Sequence, residues 1–397
     1  MKDWRKFFPI FRHHPDWIYL DSAASAHKPD CVIEALSQFY SKDYATVHRA
    51  AYGASIRATE MYHNARETVR QFLNAACYEE IIFTRGTTES IHIVSRTFPL
   101  KRGDEVLISG LEHHSNLVPW QMLAEEKGII LRQIPVLGDG SLEMPLKISP
   151  KTRLIAVTHV SNVTGTITPI REIVQAARQV GAAVLVDGAQ AAPHMRIDVQ
   201  DLGADFYVFS GHKCYGPTGI GILYGKKEWL TAMPPLQGGG AMVDHVDFEK
   251  STYLEPPMRF EAGTPMIGSA IGLKAALDFL QEIGIHSAAA WEQHLLSIAT
   301  NMLSRIPKLR IIGTALHKGP IITFTVDDVH PLDLAALLDC KNIAVRTGHL
   351  CAQPLLRKFG CESALRASFA LYNTEEDVER FVSAVKETLI KCCFEDR

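Results

Sequence analysis

The sequence predicts a large doubly wound α/β domain joined to a smaller α+β domain, on three observations. Between about residues 80 and 225, short apolar runs rich in β-branched residues (EEIIFT, DEVLIS, TRLIAVTH, AAVLVD, ADFYVFS, GIGILY) alternate with stretches such as PIREIVQAARQVG, whose apolar residues recur at helical spacing. Continuous apolar runs, rather than alternating ones, suit strands buried on both faces, so the sheet is expected to be mostly parallel and covered by helices. Near 234–267 the pattern breaks into PPLQGGGAM and EPPMRFEAGTP, which read as irregular functional loop and mark where the large domain ends.

Beyond that loop, GSAIGLKAALDFLQEIG predicts one long helix leaving the main domain. RIIG, IITFTV and IAVRTG then read as strands, interleaved with the helical stretches PLDLAALLD and EEDVERFVSAVKETLIKCC. The expected division is residues 15–268 for the large domain, with 1–14 and 269–397 forming the small one. No internal repeat, heptad run or low-complexity tract interrupts this plan.

Composition narrows the function. The 397 residues, 47% of them hydrophobic, suffice for a large core, and a formal net charge of −3 offers no general attraction to nucleic acid or to anionic membranes. The longest apolar run of the first seventeen residues, FFPIF, is too short for a signal peptide, and no segment approaches the roughly 18 apolar residues of a membrane span. Eight cysteines, at 31, 77, 214, 340, 351, 361, 392 and 393, lack C-x-x-C spacing, so a reducing, cytoplasmic setting without structural zinc is expected.

Four points fall where parallel strands should end, the place where open α/β sheets bind ligands. In TRGTTES (84–90) the amides of a helix start could hold an anion, although Thr87 and Thr88 also suit a plain N-cap. Asp187 ends AAVLVD, where a carboxylate needs a partner such as a protonated ring nitrogen; a helix-capping aspartate is the alternative. In SGHKCYGPTGIGILY (210–224), Ser210, His212 and Lys213 directly follow a strand, and a desolvated lysine there can form an imine, whereas a lone lysine is usually solvated. EHHSN (112–116) places two adjacent histidines after a strand. With no third ligand nearby they argue for one imidazole lying on a ring, or for surface histidines, rather than for a metal. Together an anion cradle, a stacking imidazole, a carboxylate and a lysine are what pyridoxal 5'-phosphate requires of a protein.

The runs YLDSAASAHKP, FTRGTTES, EHHSN, HVSNVTGT, VDGAQ, SGHKCYGPTGIGILY, RFEAGTP, RTGHLCAQP and RASFALYNT occur in this order from residue 19 to 374. They resemble the group II cysteine desulfurases, the SufS type of the class V aminotransferases, which have the fold of type I pyridoxal phosphate enzymes. The resemblance implies that Lys213 carries the cofactor in imine linkage, Asp187 protonates its ring nitrogen, Gln190 bonds its hydroxyl and His113 stacks on its face. Thr87, Thr88, Ser210 and His212 would hold the phosphate, with Thr264 reaching it from the second subunit of a homodimer. Arg366 would clamp the substrate carboxylate, with Asn162 and His48 lining the same pocket. Cys351 would take the sulfur of L-cysteine as a persulfide, leaving L-alanine, and pass it to a SufE-type or SufU-type acceptor for iron–sulfur cluster assembly.

Where that family commonly reads RTGHHCAQP, this chain has Leu350, removing an imidazole beside the nucleophile, and GTPN becomes GTPM at Met266. A selenocysteine lyase would share the cofactor chemistry without needing Cys351. A non-catalytic scaffold of the same fold would have no use for both Lys213 and Cys351.

Overall fold

The computed structural model describes residues 3–48 and 51–394. Seven strands form the main sheet: β1 (Ile81–Thr84), β2 (Glu105–Ser109), β3 (Ile130–Ile134), β4 (Thr152–Thr158), β5 (Ala183–Asp187), β6 (Phe206–Ser210) and β7 (Gly221–Gly225). Their order is β1-β7-β6-β5-β4-β2-β3, and all neighbours are parallel except β7, which runs antiparallel to β1 and β6. Side chains alternate across the pleat into two cores. Val106, Ile108, Leu185 and Val208 meet Ile91, Val94 and Trp120 on one face. Leu107, Val184, Val186 and Phe209 meet Tyr62, Val69, Leu273 and Leu277 on the other. Burial on both faces is why these strands read as unbroken apolar runs.

Two expectations need correction. Strand β3 was not predicted, because ILRQI lies at the sheet edge with only Ile134 buried and with Arg132 paired to Glu105 at 3.3 Å. An edge strand needs one backbone partner and no apolar pattern on its open side. The predicted helix is observed as Ile267–Ile283, ending at Gly284, whose φ of +86° suits glycine, and a second helix, Ile285–Leu303, follows it directly. The first packs on the helix Gly53–Leu73 within the large core instead of leaving it. The second carries Leu295, Ala299 and Leu303 into a separate core.

That second core lies under an antiparallel sheet of β8 (Leu309–Ile312), β9 (Ile321–Val326), β10 (Arg346–Gly348) and β11 (Ala364–Ser368), ordered β8-β9-β11-β10. Phe324, Leu365, Phe381 and Val385 fill it. The YLDSAAS segment is tied to this sheet, since Ser368 N–H donates to the Leu20 carbonyl at 2.8 Å and Leu20 N–H to that of Ala344 at 2.9 Å. N-terminal Trp4, Phe8 and Phe11 join the large core, with Phe8 edge-on to Tyr372 at 4.9 Å. The arrangement brings the loop after β10 over the carboxyl ends of the parallel strands.

Candidate active site

A cavity of about 450 Å³ opens at those strand ends. Its floor comes from the main sheet: Thr158 ends β4, Asp187 ends β5, and Ser210 ends β6, followed by a single 3₁₀ turn that carries Lys213. Its rim comes from β10 and the loop after it, residues 346–351, and Arg366 of β11 completes the wall.

Strand β1 leads through Gly86 to the helix that starts at Thr87, whose N–H and hydroxyl both meet Ser210 Oγ, at 2.9 and 2.8 Å. Thr88 Oγ1 meets Ser115 Oγ at 2.7 Å. This polar cluster depends on a close approach of backbones, because a Cβ on Gly221 would lie 2.4 Å from Gly86 Cα.

His113 Nδ1 accepts the Ser115 N–H at 3.0 Å, which fixes the ring's orientation. Burial, reinforced by the charge of Lys213, lowers its pKa to about 3, so the ring is neutral and apolar enough to lie on another ring. Burial raises the Asp187 pKa above the usual carboxylate value, opposed by the Ala189 N–H, which donates at 2.9 Å, and by Lys213. Burial likewise lowers Lys213 below the ordinary lysine range, with Asp187 opposing. A desolvated lysine and a desolvated carboxylate therefore share one cavity, the state in which each gains most from a ligand of complementary charge.

Arg366 is 3% exposed; its Nη1 donates to the Asn162 carbonyl at 3.0 Å and its Nη2 to Asp21 Oδ1 at 3.2 Å. Arg366 Nε and Gln190 Oε1 are buried without a hydrogen-bond partner among the described residues, while Gln190 Nε2 donates to the Ala23 carbonyl at 2.7 Å. Buried polar atoms left unpaired in a cavity wall are positioned for a polar ligand. The donor set fits pyridoxal phosphate: hydroxyls and amides around Thr87 and Ser210, a buried carboxylate, an orphaned amide oxygen, a neutral imidazole and a lysine.

Cys351 is exposed at the rim, in left-handed backbone with φ +53°, directly after Leu350 at +51° and Gly348 at +101°. Two consecutive non-glycine residues in that region are costly and persist only where neighbours hold them. Here the Asn162 side chain donates to the Leu350 carbonyl at 2.7 Å, and the His114 N–H donates to that of Cys351 at 2.7 Å. The Leu350 side chain is buried in the large core, so the substitution noted in the sequence supplies an anchor for the loop.

Of the predicted site residues, Lys213, Cys351, His113, Asp187, Gln190, Thr87, Thr88, Ser210, His212, Arg366 and Asn162 line this cavity. His48 and Thr264 line a different one of about 620 Å³, together with Tyr62, His63 and Arg66. His48 was expected beside Asn162; within one chain its N–H is held instead by Thr59 Oγ1 at 3.0 Å, on the helix Gly53–Leu73. The loop that carries Thr264 is fixed by Glu261, whose carboxylate forms a buried pair with Arg66 at 2.7 Å and accepts the Phe83 N–H at 2.7 Å.

Sequence reasoning missed three residues. Asp21, in YLDSAAS, bridges Arg366 and Arg346, the latter at 3.4 Å. Glu112 is buried beneath the cavity, accepting from Thr158 N–H (2.8 Å), Asn116 Nδ2 (2.7 Å) and Ser109 Oγ, and burial pushes its pKa up to about 8. His114 contacts the rim loop. The polar residues of EHHSN gave a signal for the last two, but one without direction.

Fold and site together define a type I pyridoxal-phosphate enzyme, and the Aminotransferase class-V family matches residues 18–381, so the chain belongs to that family. Within it the chain falls among the cysteine desulfurases. It is 46% identical over 393 residues to a probable cysteine desulfurase of Halalkalibacterium halodurans, covering 97% of each chain. It is 47% identical over 391 residues to a cysteine desulfurase of Synechococcus elongatus, of which it spans 62%. Its fold is similar to that of the cysteine desulfurase CsdA from Escherichia coli, with a TM-score of 0.91 and 43% identity over 97% of both chains. It is also similar to the cysteine desulfurase from Thermococcus onnurineus NA1, with a TM-score of 0.94 and 38% identity over 98% of both.

Proposed function

We propose that the chain is a SufS-type desulfurase that converts L-cysteine to L-alanine and carries the sulfur as a persulfide on Cys351. The observation that carries this reading is the position of an exposed Cys351 on the rim of a cavity whose floor holds a desolvated Lys213 beside Asp187. Pyridoxal phosphate bound there supplies a sink for the electron pair released when the substrate loses its Cα proton.

The chain's own residues do the rest. Arg366, held flat between Asn162 and Asp21, receives the substrate carboxylate at its unpaired edge. Lys213, its proton affinity lowered by burial, removes the Cα proton. Asp187 would hold a proton on the ring nitrogen, Gln190 would meet the ring hydroxyl, and neutral His113 would cover the ring face. Thr87, Thr88, Ser210 and His212 hold the phosphate. The Cys351 thiolate attacks the substrate sulfur, forming the S–S bond as the Cβ–S bond breaks. The pair of the broken bond stays on carbon, which takes up a proton on the way to L-alanine.

The same reading makes the enzyme a homodimer, with His48 and Thr264 serving the partner's site. Exposed Ile33, Tyr40, Tyr44, Tyr52 and Ile56, which lie along the chain on either side of residues 46–48 of the second cavity, support a covered surface. It also places the protein in the cytoplasm with a SufE-type or SufU-type acceptor. No helix among the described residues is long and apolar enough to cross a membrane.

The test is incubation of cofactor-loaded protein with L-cysteine, measuring alanine and bound persulfide for wild type beside Cys351→Ala. Both products should appear and both should vanish in the variant. Alanine formed equally by the variant would remove Cys351 from the reaction and leave selenocysteine lyase chemistry to be tried with L-selenocysteine.

A further inference from the structure

The adjacent histidines of EHHSN lacked a third ligand in sequence, and the fold supplies two. His114, His349 and Cys351 each offer one donor atom, and these atoms all lie within 4.8 Å of one another. Two hydrogen bonds join the segments of the cluster and a third orders the loop itself. His114 N–H donates to the Cys351 carbonyl (2.7 Å), Gln353 N–H to His114 Nε2 (3.2 Å), and Cys351 N–H to His349 Nδ1 (3.1 Å). Each ring accepts a backbone N–H through its single lone pair, so both imidazoles are neutral, and a metal would take those lone pairs in place of the two N–H donors. The rings lie 5.6 Å apart and 32° from parallel.

Two neutral imidazoles and a thiolate are the ligands that a borderline divalent cation selects. With bonds of about 2.0 to 2.3 Å, a tetrahedral site sets its donors roughly 3.3 to 3.6 Å apart, so the cluster must contract by up to about 1.5 Å. Room exists for this: His349 and Cys351 are exposed, and a Cβ added to Gly348 would meet nothing within 4 Å. The charges of Lys213 and Arg366 oppose a cation, which favours a site that chelators can empty.

We propose that His114, His349 and Cys351 bind one divalent cation of the zinc type, with water as fourth ligand, and that the bound metal holds Cys351 Sγ out of sulfur transfer. Binding forms the Sγ–metal bond and releases the thiol proton to solvent, with no electron transferred. The site stands on the cluster alone; its inhibitory effect rests on Cys351 being the sulfur acceptor.

Cofactor-loaded protein, stripped of metal by a chelator, is titrated with Co²⁺ alone. Ligand-field bands of tetrahedral cobalt and a sulfur-to-metal charge-transfer band should saturate at one equivalent per chain. The charge-transfer band should be absent in Cys351→Ala, and the affinity should fall by more than about 100-fold in His114→Ala and His349→Ala, beyond what loss of a supporting hydrogen bond to a ligand causes. Cys361→Ala should behave as wild type. Absence of these bands, or bands unchanged in Cys351→Ala, would overturn the site while leaving the desulfurase reading intact. In a parallel assay Zn²⁺ should stop persulfide formation and a chelator should restore it. Saturated binding without inhibition would keep the site and overturn the proposed block of sulfur transfer.

Discussion

Asp187 ends one parallel strand and Lys213 follows the end of its neighbour, both buried and held by the main sheet, whereas Cys351 sits exposed in left-handed backbone on a loop of the other sheet. The floor groups must keep fixed positions around a ring, and strand ends locked into a two-faced core provide that rigidity. A sulfur carrier has the opposite requirement, because its thiol must reach inward to a substrate and outward to an acceptor. An exposed loop held by a few hydrogen bonds and one buried leucine meets it. Under the proposed function, this difference makes cofactor chemistry and sulfur transfer mechanically separable.

The sharpest way to break that separation is to compare Lys213→Ala with Cys351→Ala. The first should lower alanine formation by about 10² to 10⁴-fold, the contribution of a positioned proton-transfer group, and lose covalently held cofactor. The second should lose persulfide yet keep the cofactor's absorbance; loss of absorbance in both would mean floor and rim are not independent.

Next, Gly221→Ala should disturb the floor without touching the rim. Its Cβ would lie 2.4 Å from Gly86 Cα, so a destabilisation of about 1–3 kcal/mol is expected, with weaker cofactor retention in dialysis. Unchanged retention would show that the cradle tolerates separation of the two backbones.

The rim counterpart is smaller. Asn162→Ala leaves the Leu350 carbonyl without its side-chain donor, a loss of about 1–3 kcal/mol at the loop. Hydrogen exchange at residues 348–352 should rise and persulfide formation slow roughly tenfold, by the conversion of 1.4 kcal/mol per decade, while the cofactor spectrum stays as in wild type.

Glu112 joins the two regions, accepting from Thr158 on the floor and from Asn116 in the turn that supports the rim. Its pKa rises from 4.5 to about 8 in the folded state. The folded protein therefore holds more protons than the unfolded chain across that window, and this group's contribution to stability falls as pH rises through it. Glu112→Gln should remove that slope, so thermal melts should show the variant gaining on wild type from the acid to the basic side of the window. A gap independent of pH would contradict the raised pKa.

The sequence by itself determined the strand-rich core and the points where chemistry gathers. Runs such as AAVLVD and ADFYVFS are largely apolar because both sheet faces are covered, and a polar residue ending such a run or just past it, Asp187 or Lys213, stands out against them. Only the tertiary structure decided the rest. Edge strand β3 needs no apolar pattern, and the packing of the helix Ile267–Ile283 into the large core is set by its contact with the helix Gly53–Leu73. The separation of His48 and Thr264 from Lys213, the burial of Glu112, and the meeting of His114 with His349 and Cys351 depend on how loops far apart in the chain pack against one another. Local periodicity reports which face of an element is buried, whereas side-chain encounters between distant segments are set by the packing of two domains, which no local pattern encodes.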